Sequence, residues 1–422
     1  MLPCLLAFCT LVAAAPPALR GQAAKAPDPT ALVEACFAAD AYTPAGRAEQ
    51  RRILAELEAH PPLSAAEAKK WTKTALALAA KGRKLEKKSG QRYFWEEQER
   101  GLYVLGGETK KPKGLLLVMH GGGAGEGDAW SSHGAYNGAA SQLDWLALYP
   151  QVLEKTEHGW TDSGTEEFVL QLVDAALRTW KIDRNRVYFS GHSMGGYGTW
   201  TLGARHADRV AGLAASAGAP TPIFNAAKAV VDIDKGLIPC LRNVPFVIYQ
   251  SDDDPQVPPD ANRFAAKLLA EARERWGGFP FEYWEEKGRA HELPPGGVEA
   301  LLAKIEARER DPRPARVVWQ PSVDWVRQFY WLYWEKPRKH ALVVADCDRA
   351  KNEVAVTCEG DPKGLEVLLD ERLVDLEEEV VVRLAGAEVF RGKPARTLAT
   401  VVKTALRGDP DLVFAARVPL AP

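Results

Sequence analysis

The chain carries over residues 186–200 the sequence Arg186-Val187-Tyr188-Phe189-Ser190-Gly191-His192-Ser193-Met194-Gly195-Gly196-Tyr197-Gly198-Thr199-Trp200. The apolar residues 187–189 predict a buried strand, and the segment after Met194 can continue as a helix. Between them stands the pattern G-x-S-x-G, in which glycines two residues either side of the serine make room for a sharp turn. The stretch predicts a strand, a tight turn and a helix, with the Ser193 hydroxyl at the strand end; the alternative is a glycine-rich surface turn without chemistry.

A second glycine-rich turn follows an earlier strand. Gly114–Met119 is a continuous apolar run, which is typical of a central strand buried on both faces. It ends in His120-Gly121-Gly122-Gly123. Serine esterases place a backbone donor of the oxyanion hole in such a loop, because only glycines let the chain turn an N–H toward the substrate. A glycine-rich linker is the alternative, and the spacing matches neither common phosphate-binding loop.

Two later strands end in residues that can serve a serine nucleophile. Residues 245–250 form an apolar run that ends in three aspartates, 252–254, and residues 281–286 precede a loop containing His291. A serine hydroxyl needs a base within hydrogen-bond reach, and that base needs an acceptor to fix its tautomer. We therefore expect His291 to be the base and one of the aspartates to be its acceptor; a surface histidine is the alternative.

The acid loop resembles that of the α/β-hydrolase superfamily, which commonly reads glycine, two residues, aspartate, two residues, then Val-Pro. Asp254-Pro255-Gln256-Val257-Pro258 matches the last part, with Ser251 in place of the usual glycine. The resemblance favours Asp254 as the acid, ahead of Asp253 and Asp252. The unused pair is expected to cap the following helix or stay solvated, with a calcium site as the alternative.

The glycine loop and the serine turn together resemble secreted esterases of the polyhydroxyalkanoate depolymerase and feruloyl esterase type, and also prolyl-oligopeptidase-type peptidases, over residues 101–295. The resemblance implies an oxyanion hole formed by the N–H groups of Met194 and of a glycine within one residue of Gly122. Trp160 resembles an aromatic that borders the acyl or leaving-group site, although a packed core tryptophan is an equal alternative. His192 is the second candidate for contact with the substrate.

The alternation of strands and helices predicts an α/β-hydrolase fold with a mostly parallel, doubly wound sheet. Residues 92–96 and 102–105 are expected to be its outer antiparallel strands, and residues 124–142 a loop. We expect a helical extension over residues 24–90, a catalytic domain over 91–313 and a small β-rich domain over 314–422.

The predicted β-rich domain begins with aromatic residues, at positions 325, 329–331, 333 and 334. They would either stack sugar rings or, as we expect, pack against the catalytic domain. Cys347 and Cys358 stand on two predicted hairpin strands, in a register that places Cys347 opposite Glu353 and disfavours a disulfide.

The composition is that of an ordinary globular protein, with 46% hydrophobic and 26% charged residues among 422. The formal net charge of -2 provides no basic surface for nucleic acid or anionic lipid, so neither is an expected partner. The cysteines lack metal-ligand spacing, and no metal or cofactor is expected.

The first residues predict an export signal. Residues 5–15 are apolar but too few to span a membrane, and Gly21-Gln22-Ala23 offers a cleavage site, so a signal peptide is expected over residues 1–23. No Lys or Arg precedes the apolar run, and an apolar terminus that is not a signal is the alternative. The prediction is a secreted or periplasmic protein without stable membrane insertion.

These observations predict a secreted serine hydrolase that cleaves small-molecule or polymer-borne carboxylic esters through a Ser-His-Asp triad and an acyl-enzyme. A prolyl-oligopeptidase-like peptidase would use the same triad. A non-catalytic protein that binds glycan or another polymer through the predicted C-terminal domain is the alternative from a different class.

Overall fold

A computed structural model describes residues 28–123 and 126–421, so the predicted signal peptide lies outside the described residues. The first strands are β1 (Gly90–Trp95), β2 (Arg100–Gly107), β3 (Gly114–Met119), β4 (Trp145–Pro150), β5 (Val187–His192), β6 (Gly212–Ser216), β7 (Pro222–Phe224), β8 (Val230–Ile233), β9 (Phe246–Ser251) and β10 (Phe281–Glu286). The helices are α1 (Thr30–Ala38), α2 (Pro44–Leu57), α3 (Ala65–Ala79), α4 (Ala129–Gln142), α5 (Thr165–Trp180), α6 (Met194–Arg205), α7 (Asp260–Trp276), α8 (Gly297–Ala303) and α9 (Leu398–Ala405).

One sheet of eight strands has the order β1-β2-β4-β3-β5-β6-β9-β10. β2 is antiparallel to both of its neighbours, and the other neighbouring strands pair in parallel. This is the mostly parallel, doubly wound sheet of the α/β-hydrolase fold, so the predicted fold class and the antiparallel strands at its edge are confirmed. In such sheets, ligands bind at the carboxyl ends of the parallel strands.

The sheet is buried on both faces, as strand β3 illustrates. Leu115, Leu117 and Met119 contribute to the core under α5, α6 and α7, whereas Leu116 and Val118 contribute to the core under α4 and α8. All five side chains are inaccessible to solvent. The continuous apolar run follows from this two-sided burial, because both side-chain directions of the strand point into a core.

The prediction of a loop over residues 124–142 is wrong, because α4 occupies most of it. Asp128 begins the helix by accepting a hydrogen bond from the Ser131 N–H (2.7 Å). The helix buries small side chains, Ala129, Ala139 and Ala140, against the sheet. No stripe of large apolar residues marks such a helix in the sequence, so hydrophobic periodicity did not reveal it.

The chain after residue 313 is rich in strands, as predicted. These strands are β11 (Arg316–Trp319), β12 (Gln328–Phe329), β13 (Leu332–Trp334), β14 (Val343–Asp348), β15 (Glu353–Cys358), β16 (Leu365–Leu369), β17 (Val380–Leu384), β18 (Ala387–Gly392) and β19 (Ala416–Pro419). They form two sheets, with the orders β11-β14-β15-β17-β18 and β12-β13-β16-β19. We call residues 314–421 the C-terminal region.

The predicted hairpin register is wrong by one residue. Cys347 pairs with Val354 rather than with Glu353, and Cys358 pairs with Val343. The turn between β14 and β15 is therefore centred one half-residue later than the sequence pattern indicated. Both cysteines are free thiols.

Most of the aromatic stretch is core rather than surface. Phe329, Tyr330, Trp331 and Trp334 are fully buried, in the same hydrophobic cluster as side chains of the central sheet. Of this stretch, Trp325 is the residue that stays substantially exposed, at 41%. The buried rings have no face free to stack on a sugar.

The N-terminal helices pack against the C-terminal region. Val33, Ile53 and Ala75 of α1, α2 and α3 share a hydrophobic cluster with Leu398 and Val402 of α9. Helix α3 begins with a capping box, in which the Ser64 and Glu67 side chains each accept a hydrogen bond from the other's backbone N–H. Within the described residues, no helix combines the length and apolar character needed to cross a membrane.

Candidate active site

The turn between β5 and α6 holds Ser193 in a strained backbone conformation. Its φ of 59° and ψ of -123° are unusual for a residue with a side chain. Glycine is required on both sides of Ser193, because a side chain there would clash with the backbone. A Cβ on Gly195 would lie 1.9 Å from the Met119 carbonyl oxygen, and one on Gly191 would lie 2.4 Å from the Gly195 carbonyl oxygen. The Ser193 N–H donates to the Ser216 carbonyl oxygen at the end of β6 (2.9 Å), which fixes the turn to the neighbouring strand.

The structure brings Ser193 together with His291 and Asp254. His291 Nε2 lies 2.8 Å from Ser193 Oγ, and His291 Nδ1 lies 2.7 Å from Asp254 Oδ2. The three residues follow β5, β10 and β9, so the carboxyl ends of three strands supply the arrangement. We call Ser193, His291 and Asp254 the candidate triad.

Asp254 is held by donors on both carboxylate oxygens. Oδ1 accepts the N–H groups of Gln256 and Val257, each at 2.9 Å. Oδ2 accepts from His291 and also from Gln250 Nε2 (3.3 Å). The Asp254 side chain is completely buried, so these bonds replace the water that an ionised carboxylate would otherwise need.

The glycine loop, residues 121–123, lies against the turn that carries Ser193. A Cβ on Gly121 would lie 3.2 Å from Ser193 Cβ, which places this backbone directly beside the serine. Gly122 has a φ of 111°, a conformation that other residues rarely adopt. Met194 is the first residue of α6, and the first N–H groups of a helix have no partner within it.

His120 supports the glycine loop through hydrogen bonds and is not a member of the candidate triad. Its Nδ1 donates to the Gly121 carbonyl oxygen (2.8 Å), and its Nε2 accepts from the Val152 N–H (3.3 Å). Burial lowers the pKa of His120, although the Gly121 carbonyl opposes that shift. The neutral ring therefore links the glycine loop to the chain that leaves β4.

Trp160 lies beneath the glycine loop, fully buried. Its Nε1 donates to the His120 carbonyl oxygen (3.2 Å), and a Cβ on Gly198 would lie 2.8 Å from its ring. These contacts favour the alternative of a packed core tryptophan over a side chain that borders the substrate.

His192 lies beside the candidate base. Its ring centroid is 4.9 Å from that of His291, and its Nδ1 lies 3.0 Å from Ser216 Oγ. Burial, and then the nearby charge of His291, lower the pKa of His192 to about 4. His192 is therefore neutral at neutral pH, and its half-buried ring contacts the base.

The two aspartates beside Asp254 have partners that sequence reasoning missed. Neither caps α7, which has no side-chain cap; instead they accept N–H groups of the loop that carries His291. In the described part of the chain, no group of three His, Cys, Asp or Glu side chains is arranged to hold a metal ion.

Gln250 and Tyr197 were also missed. Gln250 Nε2 donates to Asp254, and Gln250 Oε1 accepts a hydrogen bond from Asn262 Nδ2 (2.7 Å). This pair of buried amides therefore supports Asp254. The polar side chain of Gln250 at the end of an otherwise apolar run was a usable signal.

Tyr197, one helical turn after Ser193, stacks on His158 with ring centroids 5.2 Å apart. The contact between Tyr197 and His158 cannot be predicted from a single sequence.

A surface cavity of about 390 Å³ lies elsewhere, and its lining includes Arg83, Glu86, Arg92 and Trp95. It is formed by β1 and the segment after α3, and no lining residue belongs to the candidate triad. The chemistry of the site therefore rests on the strand ends, not on this cavity.

No protein-family model matches the chain, and no curated protein matches it significantly. Solved structures that resemble it include a thermostable esterase, 21% identical over 50% of this chain and 60% of that one, with a TM-score of 0.37. A ferulic acid esterase from the anaerobic fungus Anaeromyces mucronatus is 15% identical, over 52% of this chain and 89% of that one, with a TM-score of 0.36. An acetyl xylan esterase from Aspergillus awamori is 13% identical, over 49% of this chain and 94% of that one, with a TM-score of 0.37.

The chain spans less than two thirds of the thermostable esterase. The assignment of the fold rests on the strand order of the eight-stranded sheet.

Proposed function

We propose that this chain is a serine hydrolase that cleaves carboxylic esters through an acyl-enzyme intermediate. The observation that carries the proposal is the hydrogen-bonded series from Ser193 Oγ to His291 to Asp254, at 2.8 and 2.7 Å. These distances are those at which a histidine can take the proton of a serine hydroxyl. The substrates are small-molecule or polymer-borne esters.

In the proposed reaction, Ser193 Oγ attacks the ester carbonyl carbon while its proton passes to His291 Nε2. Asp254 accepts the His291 Nδ1–H, which keeps Nε2 free to accept and stabilises the imidazolium. The N–H groups of Met194 and of a glycine near Gly122 stabilise the oxyanion. His291 then gives the proton to the leaving alcohol as the ester C–O bond breaks, which leaves the acyl group bound to Ser193 Oγ. In the second half, water gives a proton to His291 and attacks the acyl carbon; the bond to Ser193 Oγ breaks, His291 returns the proton to Ser193, and the carboxylic acid is released.

The first test is Ser193→Ala, assayed with p-nitrophenyl acetate and a fluorophosphonate probe. We expect loss of turnover and of labelling with an unchanged unfolding midpoint. The matched control is Ser141→Ala, which removes an exposed hydroxyl on α4. Unchanged turnover in Ser193→Ala would contradict the proposal.

The same triad would cleave peptide amides, so a panel of acyl esters, acetylated sugars, feruloyl esters and peptide anilides separates the esterase from the peptidase. The non-catalytic alternative is weakened by the burial of the aromatic residues 329–331 and 334. Export remains a proposal that rests on residues 1–23; mass spectrometry of the mature N-terminus from a secreting host tests it.

A further inference from the structure

Four consecutive residues of the acid loop each accept a hydrogen bond from the loop that carries the candidate base. The bonds are Gly288 N–H to Asp252 Oδ1 (3.0 Å), Arg289 N–H to Ser251 Oγ (3.0 Å), Ala290 N–H to Asp253 Oδ1 (2.8 Å) and His291 Nδ1–H to Asp254 Oδ2 (2.7 Å). We call these two segments, residues 251–254 and 288–291, the loop clamp. The proposed acid–base contact, between Asp254 and His291, is thus the last of four hydrogen bonds between these two segments.

Ser251 and Asp253 reinforce each other within the loop clamp. The Ser251 hydroxyl accepts the Arg289 N–H and donates its own hydrogen to Asp253 Oδ1 (2.7 Å). Asp253 Oδ1 therefore accepts two hydrogen bonds. The Ser251 hydroxyl first, and the Ala290 N–H next, lower the pKa of Asp253, so its carboxylate is ionised at neutral pH. Ser251 is buried whereas Asp253 is exposed.

The backbone that the loop clamp holds is strained at one residue. Ala290, the residue before His291, has a φ of 48°. A left-handed conformation is unfavourable for a residue with a Cβ, because the Cβ comes too close to the following carbonyl oxygen. Such conformations persist only where surrounding contacts hold them, and at Ala290 that contact is Asp253.

We propose that Ser251 and Asp253 are positioning residues for the proposed reaction, holding the Ala290 backbone so that His291 Nε2 stays within reach of Ser193 Oγ. The inference rests on the proposed function, because it gives His291 the role of base. Both residues act through His291. A displacement of about 1 Å in a catalytic group can cost roughly 100-fold in rate, so small movements of this loop have large effects.

The test compares Asp253→Ala with Asp253→Asn on p-nitrophenyl acetate. Alanine removes the acceptor of the Ala290 N–H, and we expect kcat to fall about 10- to 100-fold with KM within about twofold. Asparagine keeps Oδ1, which can accept both bonds, so it is expected to restore kcat to within about threefold of the parent. Asp361→Ala, at an exposed aspartate of the C-terminal region, controls for the loss of a surface carboxylate.

Ser251→Ala is the second variant, because it deletes the acceptor of the Arg289 N–H, and kcat is expected to fall with KM little changed. A parental kcat in Asp253→Ala or Ser251→Ala overturns the inference. An Asp253→Asn variant as slow as Asp253→Ala also overturns it, since charge rather than hydrogen bonding would then matter. Ser193→Ala separates the two proposals: if that variant stays active, the proposed function itself fails.

Discussion

Arg310 and Asp409 face each other in the buried boundary between the part of the chain that carries the eight-stranded sheet and the C-terminal region. Arg310 Nη1 lies 2.7 Å from Asp409 Oδ2, and the two side chains are 1% and 7% exposed. Arg310 also donates to the Asp208 carbonyl oxygen (2.8 Å) and to Asn185 Oδ1 (2.9 Å), both in the part of the chain that carries the eight-stranded sheet. The C-terminal region is therefore attached through buried charge and not only through apolar contact.

Asp409→Ala should destabilise the whole molecule. Removing one partner of a buried ion pair typically costs about 3–5 kcal/mol in the free energy of unfolding, and Arg310 would retain the longer pair with Asp411 (3.9 Å). The matched control is Asp361→Ala, because Asp361 pairs with Arg338 in solvent, where a pair contributes about 1 kcal/mol or less. Urea denaturation measures the free energy of unfolding of both variants. Equal losses would show that the buried pair stabilises the fold no more than the exposed pair does.

Asp254→Asn should remove activity while the fold persists. With its oxygen still accepting from residues 256 and 257, the amide would present its NH₂ group to His291 Nδ1. Nδ1 must then accept, so Nε2 carries the proton and cannot take one from Ser193. We expect kcat to fall roughly 10⁴-fold.

The control for this prediction is Asp260→Asn, at the start of α7, where the side chain is 69% exposed. Steady-state kinetics on p-nitrophenyl acetate and a thermal unfolding midpoint measure activity and fold separately. An active Asp254→Asn variant would mean that another group orients His291.

Gly122→Ala should impair the proposed oxyanion hole. Gly122 has a φ of 111°, and a Cβ there would lie 2.4 Å from the Glu126 carbonyl oxygen, so the loop must shift. Loss of one oxyanion donor costs about 100- to 1000-fold in kcat. Gly134→Ala is the control, because a Cβ at that exposed position of α4 meets nothing within 4 Å. A Gly122→Ala enzyme with parental kcat would show that this loop makes no catalytic contact.

His192 should make stability depend on pH. Its pKa is about 4 in the folded chain and 6.5 as its ordinary value, chiefly because burial disfavours the charged ring. Between these pH values the unfolded chain binds a proton that the folded chain does not. The free energy of unfolding therefore falls as pH falls from 6.5 to about 4 and is fully retained above that window.

His192→Gln should flatten this dependence, by on the order of 2–3 kcal/mol across the window. Urea denaturation at several pH values between 4 and 8 measures the slope. His340→Asn, at an exposed histidine, is the control. An unchanged slope in His192→Gln would assign the pH dependence to other groups.

Sequence patterns located the central sheet well because its strands bury both faces. The bounds of β3, which is buried on both faces, were predicted to the residue from its apolar run, and the bounds of the edge strand β10 match the predicted residues 281–286. Ser193 and His291 could also be predicted as candidates, because each follows the carboxyl end of a strand and the carboxyl ends of parallel strands lie at one edge of the sheet.

Contacts between separate loops were not predictable in the same way. The bonds from residues 288–290 to residues 251–253 depend on how two turns approach each other in space, and neither periodicity nor turn chemistry encodes that approach. Helix α9 was missed for a related reason. Its eight residues make only about two turns, which is too short for a helical period to stand out among the neighbouring strands.

The shared core of α9 and the N-terminal helices has a consequence for synthesis on the ribosome. Val33 and Ile53 are synthesised long before Leu398 and Val402, yet the four belong to one hydrophobic cluster. Until α9 leaves the exit tunnel, α1 and α2 have an apolar face without its native cover. Contacts that span so much of the chain slow folding and prolong that exposure, which makes the nascent chain a candidate client for holding chaperones.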